Sequence, residues 1–592
     1  MANHSDPESC VRCCEVAGEA LTGATDRPAI EPRNNLVWDA DAVSEAEGNM
    51  VRDEDRQSCA DPTRSENLCM SGSRSHGSSE ISSVSGGSGP DGAGKVNDRN
   101  PAVNAGEKSD TPIVPKKPSN NGDDPAEVVE GRGVAKGNAG ETPASRTPCR
   151  SKRASMGLEG VRVAARQDKR VRFTALLHHL TPGLLLESFY ELKRTAAAGV
   201  DGVTWREYEA ILGQRLPELH REVHTGSYRA QPSRRVFIAK ADGRQRPLGI
   251  ASLEDKIVQQ AVVRILSAIY EEDFLGFSYG FRPGRGAHDA LDALSAGIMG
   301  RKVNWILDAD IRAFFDELDH EWLLRFLEHR IADRRILRLI RKWLRAGVIE
   351  DGRRVLVERG TPQGAVVSPL LANIYLHYVL DLWVQQWRQQ PGVGDLIVVR
   401  YADDSVFGFE REETAQRFLA ALQERLARFG LALHPEKTRL IEFGRFAARN
   451  RDARGQDGPE TFDFLGFTHC CGRTRRGRFQ VVRLTAKKRM RATLHALHEV
   501  LLRRRHEPIK AVGDWLRRVV QGYFNYHAVP TNMHRLRGFR SEVCRLWRQA
   551  LQRRSQRSRL SWDRFHRLLH RFIPYCRTLH PYPEARFYAS RP

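Results

Sequence analysis

Two adjacent acids, Asp403 and Asp404, follow the apolar run LIVVR in the stretch DLIVVRYADDSVFGF. The apolar residues on each side predict two strands, joined by a two-residue acidic turn. An ionised carboxylate behind a buried strand loses hydration, which is costly unless the group is paired or binds a cation. This stretch therefore forms either an ordinary acidic turn or part of a metal site.

A second acidic strand end occurs in WILDADIRAFFDELDH. Alternate residues of a strand share a face, so Asp308 and Asp310 are expected to point the same way. If this strand neighbours LIVVRYADD in one sheet, Asp310 comes close to Asp403 and Asp404. Repulsion among three carboxylates would raise their pKa values. Two Mg²⁺ ions would relieve it, because hard oxygen ligands suit Mg²⁺.

A basic hairpin supplies cations that this chemistry needs. The stretch RRVFIAKADGRQRPLGI predicts two strands joined by the turn ADGR. It offers Lys240, Arg244 and Arg246 as contacts for phosphate groups. A lone acidic pair is more often a turn. Together with a second acidic strand end and this hairpin, however, the pattern favours the two-metal site of phosphoryl transfer.

The charge balance favours a polyanionic partner. Lys and Arg number 94 against 73 Asp and Glu, a net charge of +21, which indicates nucleic acid first and an anionic membrane surface second. The N-terminus has no signal-peptide pattern, and polar residues interrupt the longest apolar stretch, GAVVSPLLANIYLHYVLDLWV. We therefore predict a buried helix there and a soluble, cytoplasmic protein. The cluster CVRCC lacks a second ligand pair, so unpaired thiols are expected rather than a zinc site.

Composition divides the chain into three regions. Residues 1–155 are rich in Gly, Ser, Asp and Asn, which predicts disorder. Residues 160–485 follow the order strand–helix–strand–strand–helix that is typical of a split-βαβ sheet. Residues 486–592 predict basic helices with interleaved aromatics. A solvated basic face with rings in the core is one interpretation, but RNA contact is favoured. The candidate contacts are Trp515, Arg517, Arg518, Tyr523 and Tyr526.

Seven motifs in order resemble those of the reverse transcriptase–maturases encoded by bacterial group II introns. They are RPLGIASLEDKIVQQAV, SYGFRPGRGAHDAL, DADIRAFFDELDH, GTPQGAVVSPLLANIYLHYVLD, YADD, LALHPEKTRLIEFG and FDFLGF. The resemblance covers roughly residues 165–592. YADD alone is a short motif, whereas seven motifs in one order are very specific.

The resemblance implies an α+β fold, a right-hand polymerase with fingers and a split-βαβ antiparallel palm within residues 160–485. Residues 486–592 correspond to an α-helical thumb, or maturase domain, with a basic tail. The disordered extension, residues 1–155, has no counterpart in the family. We treat it, as a hypothesis, as intron sequence read through from an upstream start codon.

The resemblance also implies roles for the three acids and for a nearby aromatic residue. Asp310, Asp403 and Asp404 match the ligands of two catalytic Mg²⁺ ions, with Asp310 preferred over Asp308 and Asp403 the stronger ligand of its pair. Phe314 matches the aromatic residue that excludes a ribose 2′-hydroxyl, although helix core is the alternative for its ring.

Other positions match residues that contact the nucleotide or the nucleic acid. Lys240 and Arg246 correspond to residues on the triphosphate, and Gln363 lies beside the incoming nucleotide. Four further positions correspond to template or primer contacts, and for the first two of them the capping of a loop is the alternative. These positions are Arg282, Arg285, Lys437 and Gly466.

The implied activity is RNA-directed DNA synthesis, combined with a maturase role in which the chain binds group II intron RNA to assist splicing and mobility. The implied partners are this RNA, target DNA and dNTPs, with no membrane. A dimer is the working hypothesis for the oligomeric state, and nucleoid association is expected during mobility. No His-Asn-His endonuclease follows Pro592, so second-strand cleavage is not expected.

Three alternatives remain open from the sequence. A splicing-only maturase would tolerate loss of the catalytic acids, which are all present here. A retron-type or defence-type reverse transcriptase would lack a maturase-like thumb. A viral RNA-dependent RNA polymerase is disfavoured by the context of YADD and by Phe314.

Overall fold

The structure of this chain, a computed structural model, describes residues 151–239, 245–350, 352–356, 358–361, 363–555 and 560–589. Nearly all of the predicted extension, residues 1–155, lies outside the described residues, as do Lys240 and Arg244 in the hairpin turn. Predictions that concern these residues stay predictions.

Helices and strands alternate through the first two thirds of the described chain, and helices follow. Helices α1–α17 are Ser151–Gln167, Pro182–Glu191, Trp205–Thr225, Leu253–Asp273, Ala287–Gly300, Phe314–Glu317, His320–Glu328, Arg334–Arg345, Ser368–Leu376, Leu382–Arg388, Glu412–Ala427, Ala447–Ala453, Lys487–Arg503, Ile509–His527, Met533–Gln552, Trp562–Phe572 and Pro583–Ala589. Strands β1–β11 are Ser233–Ala239, Gln245–Ile250, Trp305–Asp310, Val348–Glu350, Arg353–Val355, Leu396–Tyr401, Asp404–Phe409, Arg439–Glu442, Phe462–Phe464, Phe467–Arg473 and Phe479–Thr485. Short 3₁₀ turns span Leu177–His179 and Arg504–His506, and a π-helical segment spans His377–Asp381.

The central sheet has the strand order β6-β7-β3-β8, and each neighbouring pair is antiparallel. In the chain, β3 is followed by helices, then by the β6–β7 hairpin, then by α11 and β8. The predicted split-βαβ arrangement is therefore confirmed. Residues 396–400 are buried without alternation, because both faces of β6 are covered.

Two smaller sheets flank this centre. Strands β1 and β2 form the predicted antiparallel hairpin, with Ala239 opposite Gln245, and β1 also pairs with β4 in a sheet of order β2-β1-β4-β5. Strands β9, β10 and β11 form an antiparallel meander. The boundary predicted between residues 485 and 486 falls where β11 ends and the helices α13–α17 begin.

The apolar stretch of residues 364–384 is a buried helix, as predicted. It begins with α9, continues through the π-helical segment and ends in α10, with most of its side chains in the main core. Within the described ranges, no helix is long and apolar enough to cross a bilayer.

Helices α13–α16 pack around a second hydrophobic core. Its centre contains Trp547, Phe539 and Leu516, none of which is exposed to solvent. Phe539 and Trp547 belong to α15 and Leu516 to α14. The same core includes Leu501 of α13 and Phe565 of α16, so it holds the helical region together. The basic residues of the same helices are left on the outside.

Substituting Trp547→Ala should destabilise the protein by about 3–5 kcal/mol, because it leaves a cavity where a fully buried ring packs. Trp562→Ala is the matched control, since Trp562 is 54% exposed in the same helical region. Urea unfolding of both variants is the measurement. Equal losses of stability would contradict this assignment of the second core.

Candidate active site

The central sheet brings the predicted acids together. Asp310 is the last residue of β3, and in the antiparallel register it lies opposite Asp404, the first residue of β7. Asp403 directly precedes Asp404 and lies in the turn between β6 and β7. The turn residues are Ala402 and Asp403, rather than the two acids, and Ala402 has a left-handed φ of 57°. The expected proximity of Asp310 to the acidic pair is confirmed.

Electrostatics at this place show an uncompensated excess of negative charge. Burial, followed by the charges of Asp403 and Asp310, raises the pKa of Asp404 to about 6. Burial and the Asp310 charge also raise the pKa of Asp403. Lys437 and Arg246 act in the opposite direction on both carboxyls, and the Lys437 ammonium forms an ion pair with Asp310.

Asp308 lies on the same face of β3 as Asp310, as the alternation predicts, and both are half-buried around the buried Ala309. Burial raises the pKa of Asp308 to about 7, although Arg439, opposite it on β8, lowers that pKa. Asp308, Asp310 and Asp404 line one open cavity of about 510 Å³.

A further acid on this cavity, Asp463, is one that sequence reasoning missed. Asp463 is the exposed middle residue of β9, between the buried Phe462 and Phe464. Its charge adds to the effects that raise the pKa of Asp308. The alternation of FDF was the available signal, because an acid between two buried rings must face away from the core.

The donors fit a hard divalent cation in their chemistry. Carboxylate oxygens are the ligands that Mg²⁺ prefers, and burial, together with neighbouring carboxylates, raises the pKa of Asp403 and of Asp404 in spite of Lys437 and Arg246. In the part of the chain that the structure describes, however, no three acidic, His or Cys side chains converge closely enough to hold one ion. The sheet brings the acidic residues to one end, but their carboxylates do not converge on a single point.

The hairpin and the loop after β5 meet beside the acids. Arg246 is exposed on β2, and its charge reaches both Asp403 and Asp404. The backbone N–H of Gly249 donates to the carbonyl oxygen of Gln363 at 2.6 Å. The Gln363 loop thus contacts β2, the strand that carries Arg246, and the predicted roles of both residues stay predictions. Lys240 lies outside the described residues.

Phe314 is buried, in contrast to its predicted role at the nucleotide. Its ring is 2% exposed and packs against Phe315 and Tyr375, with ring centroids 5.4 and 6.2 Å away. The structure therefore favours the alternative that Phe314 is core. Tyr375 on α9 provides the packing partner, which the local sequence does not reveal.

For Arg282, predicted as a template or primer contact, the structure favours the loop-capping alternative. Arg282 is 6% exposed, and its guanidinium donates to the carbonyl oxygens of Leu275 and Ser278 at 2.8 and 2.9 Å. It also pairs with Glu271 at 3.0 Å. Burial lowers the pKa of Arg282 to about 10. These bonds show the loop-capping alternative.

Arg285 takes part in the same loop. Its guanidinium donates to the carbonyl oxygen of Gly276 and, at 3.2 Å, to that of Ser278. It also lies 5.3 Å from the centre of the Tyr279 ring. Loop capping is therefore favoured for Arg285 as well.

Gly466 lies in the tight turn between β9 and β10, next to the cavity. Its φ is +81°, and a Cβ at this position would come 2.2 Å from Nη1 of Arg489. The left-handed φ favours glycine at this position, whereas the Arg489 side chain could move aside. The roles predicted for Lys437 and Gly466 on the primer stay predictions.

The predicted RNA contacts of the helical region divide by burial. Tyr523 is 1% exposed and stacks on Phe539 with ring centroids 3.6 Å apart, so the structure favours the core interpretation for its ring. Trp515 and Tyr526 are half-buried, and the Tyr526 hydroxyl donates to the carbonyl oxygen of Leu465 at 2.8 Å. Arg517 and Arg518 are exposed. The rings belong mainly to the core, and the arginines face solvent.

Comparison with known proteins gives a family for the region that contains the acids. The family described as reverse transcriptase (RNA-dependent DNA polymerase) matches residues 238–469. Protein YkfC of Escherichia coli (strain K12) is 34% identical over 277 residues, which are 41% of this chain and 72% of YkfC.

Two further relatives are named for introns. The group II intron-encoded protein LtrA of Lactococcus lactis subsp. cremoris is 36% identical over 225 residues, 37% of either protein. The mitochondrial nuclear intron maturase 3 of Arabidopsis thaliana is 26% identical over 185 residues, 30% of this chain and 24% of the maturase. The chain thus spans well under half the length of these two relatives.

Asp404→Asn should stabilise the metal-free protein at neutral pH. The folded pKa of about 6 exceeds the ordinary 3.8, so ionised Asp404 destabilises the fold above pH 6, and this penalty is lost as the pH falls towards 4. We expect a gain of only about 1 kcal/mol at pH 8, because the carboxyl is crowded by neighbouring atoms but the residue keeps solvent access at the strand end, and solvent screens its charge. The gain should be smaller at pH 5.

Thermal unfolding in a chelating buffer at the two pH values is the measurement. Asp457→Asn is the control, since Asp457 is exposed and lies outside the cavity. A loss of stability in Asp404→Asn at pH 8, or an equal gain at both pH values, would contradict the electrostatic account.

Proposed function

This chain belongs to the family of reverse transcriptases encoded by group II introns, and we propose that it synthesises DNA on an RNA template. The observation that carries the proposal is the pairing of β3 with β7, which sets Asp310 opposite Asp404 with Asp403 adjacent in the turn. Three acids at one sheet end, beside an exposed arginine on a hairpin, suit the transfer of a nucleotide from a triphosphate.

We assign the parts of a right hand to the fold. The central sheet is the palm, the β1–β2 sheet with the preceding helices is the fingers, and helices α13–α16 are the thumb. Template and primer would then lie across the palm between fingers and thumb. The open cavity at Asp308, Asp310 and Asp404 is on the palm side of this path.

Asp310, Asp403 and Asp404 would hold a pair of Mg²⁺ ions, which would stabilise the attacking primer oxygen and the leaving pyrophosphate. Arg246 would bind the negatively charged triphosphate of the dNTP, as would Lys240. Lys437, now paired with Asp310, is placed to contact a phosphate once cations take over the neutralisation of that carboxylate. The Gln363 loop would border the nucleotide, since it is bonded to the strand that carries Arg246.

A maturase role accompanies synthesis in this proposal. The relatives include a protein named as group II intron-encoded and one named as an intron maturase, which favours an intron-encoded enzyme over a retron-type or defence-type one. The exposed Arg517 and Arg518 on α14 give the thumb a basic surface for intron RNA. Target DNA is a further partner in this scheme, with nucleoid association during mobility, and a dimer stays a prediction.

Asp403→Ala should reduce primer extension on an RNA template by at least about 100-fold, a loss of roughly 2.7 kcal/mol of transition-state stabilisation. The reason is the removal of a metal-binding carboxylate. Incorporation of dNTPs by purified protein is the measurement. Asp452→Ala, an exposed acid of α12, is the control and should retain activity. Equal incorporation by wild type and Asp403→Ala would refute the catalytic assignment.

Binding of intron RNA should weaken steeply as salt rises, because arginines displace counterions from phosphates. Arg518→Ala should reduce the slope of log affinity against log salt by roughly 0.7–0.9. Arg545→Ala is the control, since Arg545 is exposed but paired with Glu542 at 2.8 Å. Filter binding at several salt concentrations measures both slopes. An unchanged slope in Arg518→Ala would remove Arg518 from the RNA surface.

A further inference from the structure

We propose that Arg400 and Asp381 are positioning residues, which fix the turn that carries Asp403. The proposal rests on the proposed function, because the position of Asp403 matters only if this carboxylate takes part in synthesis. Neither residue touches the cavity at the acids. They lie below the turn, in the core.

Arg400 and Asp381 form a buried two-bond pair. The side chains of both are 0% exposed. Nε of Arg400 donates to Oδ1 of Asp381 at 2.7 Å, and Nη2 donates to Oδ2 at 2.6 Å. This fork geometry fixes the plane of the guanidinium, because two parallel bonds allow little rotation.

The remaining donors of Arg400 reach the turn and its neighbours. Nη1 donates to the carbonyl oxygen of Ala402 at 2.9 Å and to Oδ1 of Asn373 at 3.0 Å. Nη2 also donates to the hydroxyl of Ser278 at 2.8 Å. Ala402 adopts a left-handed φ of 57°, which costs a non-glycine residue on the order of 1 kcal/mol. The bond from Arg400 stabilises this residue, which directly precedes Asp403.

The backbone at Gly280 also packs against this turn. A Cβ at Gly280 would lie 2.3 Å from the backbone N of Ala402, so the two backbones are in close contact. The Asn373 amide holds this segment by donating to the carbonyl oxygen of Gly280 at 2.7 Å. Asn373 therefore links Arg400 to Gly280, and the turn is fixed from two sides.

Asp381 lies at a π-helical irregularity in the buried helix. It is the last residue of the π-helical segment His377–Asp381, which separates α9 from α10. An inserted π turn shifts the direction in which the following side chains point, and such turns occur frequently at functional sites. Here the shifted carboxylate meets Arg400 under the turn.

Stability alone does not account for this arrangement. Replacing a buried ion pair by apolar side chains of similar volume is often neutral or stabilising, since desolvation of the charges offsets their attraction. The directional bond to the Ala402 carbonyl, in contrast, has no apolar substitute. We therefore separate position from stability by removing both charges at once.

The test compares Arg400→Met with the double variant Arg400→Met/Asp381→Leu, together with Arg400→Lys as a variant that keeps the charge. Amide hydrogen exchange reports on the turn at residues 401–404, urea unfolding on stability, and primer extension on the half-saturating Mg²⁺ concentration. The matched control is Arg330→Met/Asp273→Leu, because Arg330 and Asp273 form another buried pair, at 2.9 Å.

We expect the double variant to recover the stability that Arg400→Met loses. Its turn should nevertheless exchange at least about 10-fold faster than in wild type, and its half-saturating Mg²⁺ concentration should rise by a similar factor. Arg400→Lys should show the same two changes if the double variant does not fold. The control pair should leave both quantities at wild-type values.

Unchanged exchange at residues 401–404 in a folded double variant, or in Arg400→Lys, would overturn the positioning role. Equal effects from the control pair would also overturn it, because the changes would then reflect general loosening. If wild-type protein extends no primer while the double variant still loosens the turn, the proposed function fails and the positioning of the turn stands.

Discussion

Repulsion between carboxylates that the sheet forces together is the constraint on which this account depends. The pairing of β3 with β7 sets Asp310 opposite Asp404, and the tight turn keeps Asp403 within reach of both. The raised pKa values of Asp403 and Asp404 show that burial and mutual repulsion outweigh the effects of Lys437 and Arg246. The proposed divalent cations would neutralise these charges.

Different parts of the molecule supply rigidity and charge. Buried pairs such as Arg400 with Asp381, and the capping bonds of Arg282, fix loops around the site. The cations proposed to contact the substrate, Arg246 and Lys437, are exposed. In the helical region, rings such as Tyr523 pack in the core while arginines remain outside. The exposed basic side chains thus lie on elements that are fixed by apolar packing.

Local patterns were sufficient to predict the strands and their faces. The two-residue period of a strand placed Asp308 and Asp310 on one side, and the apolar runs around the acids predicted the β6–β7 hairpin correctly. Burial of individual side chains was not predictable in the same way. Phe314 and Tyr523 are covered by residues outside their own local sequence, Tyr375 and Phe539 respectively. Arg400 likewise meets Asp381 and Ser278, which are 19 and 122 positions away.

The central claim is that Asp310, Asp403 and Asp404 together bind divalent cations for nucleotide transfer. Electron paramagnetic resonance of Mn²⁺ tests it directly, with an RNA template, a DNA primer that ends in a dideoxynucleotide, and the next dNTP. We predict two bound ions per wild-type protein and fewer, at least about 10-fold weaker, in Asp403→Ala and Asp404→Asn. The same number of ions with the same affinity in all three proteins would contradict the account.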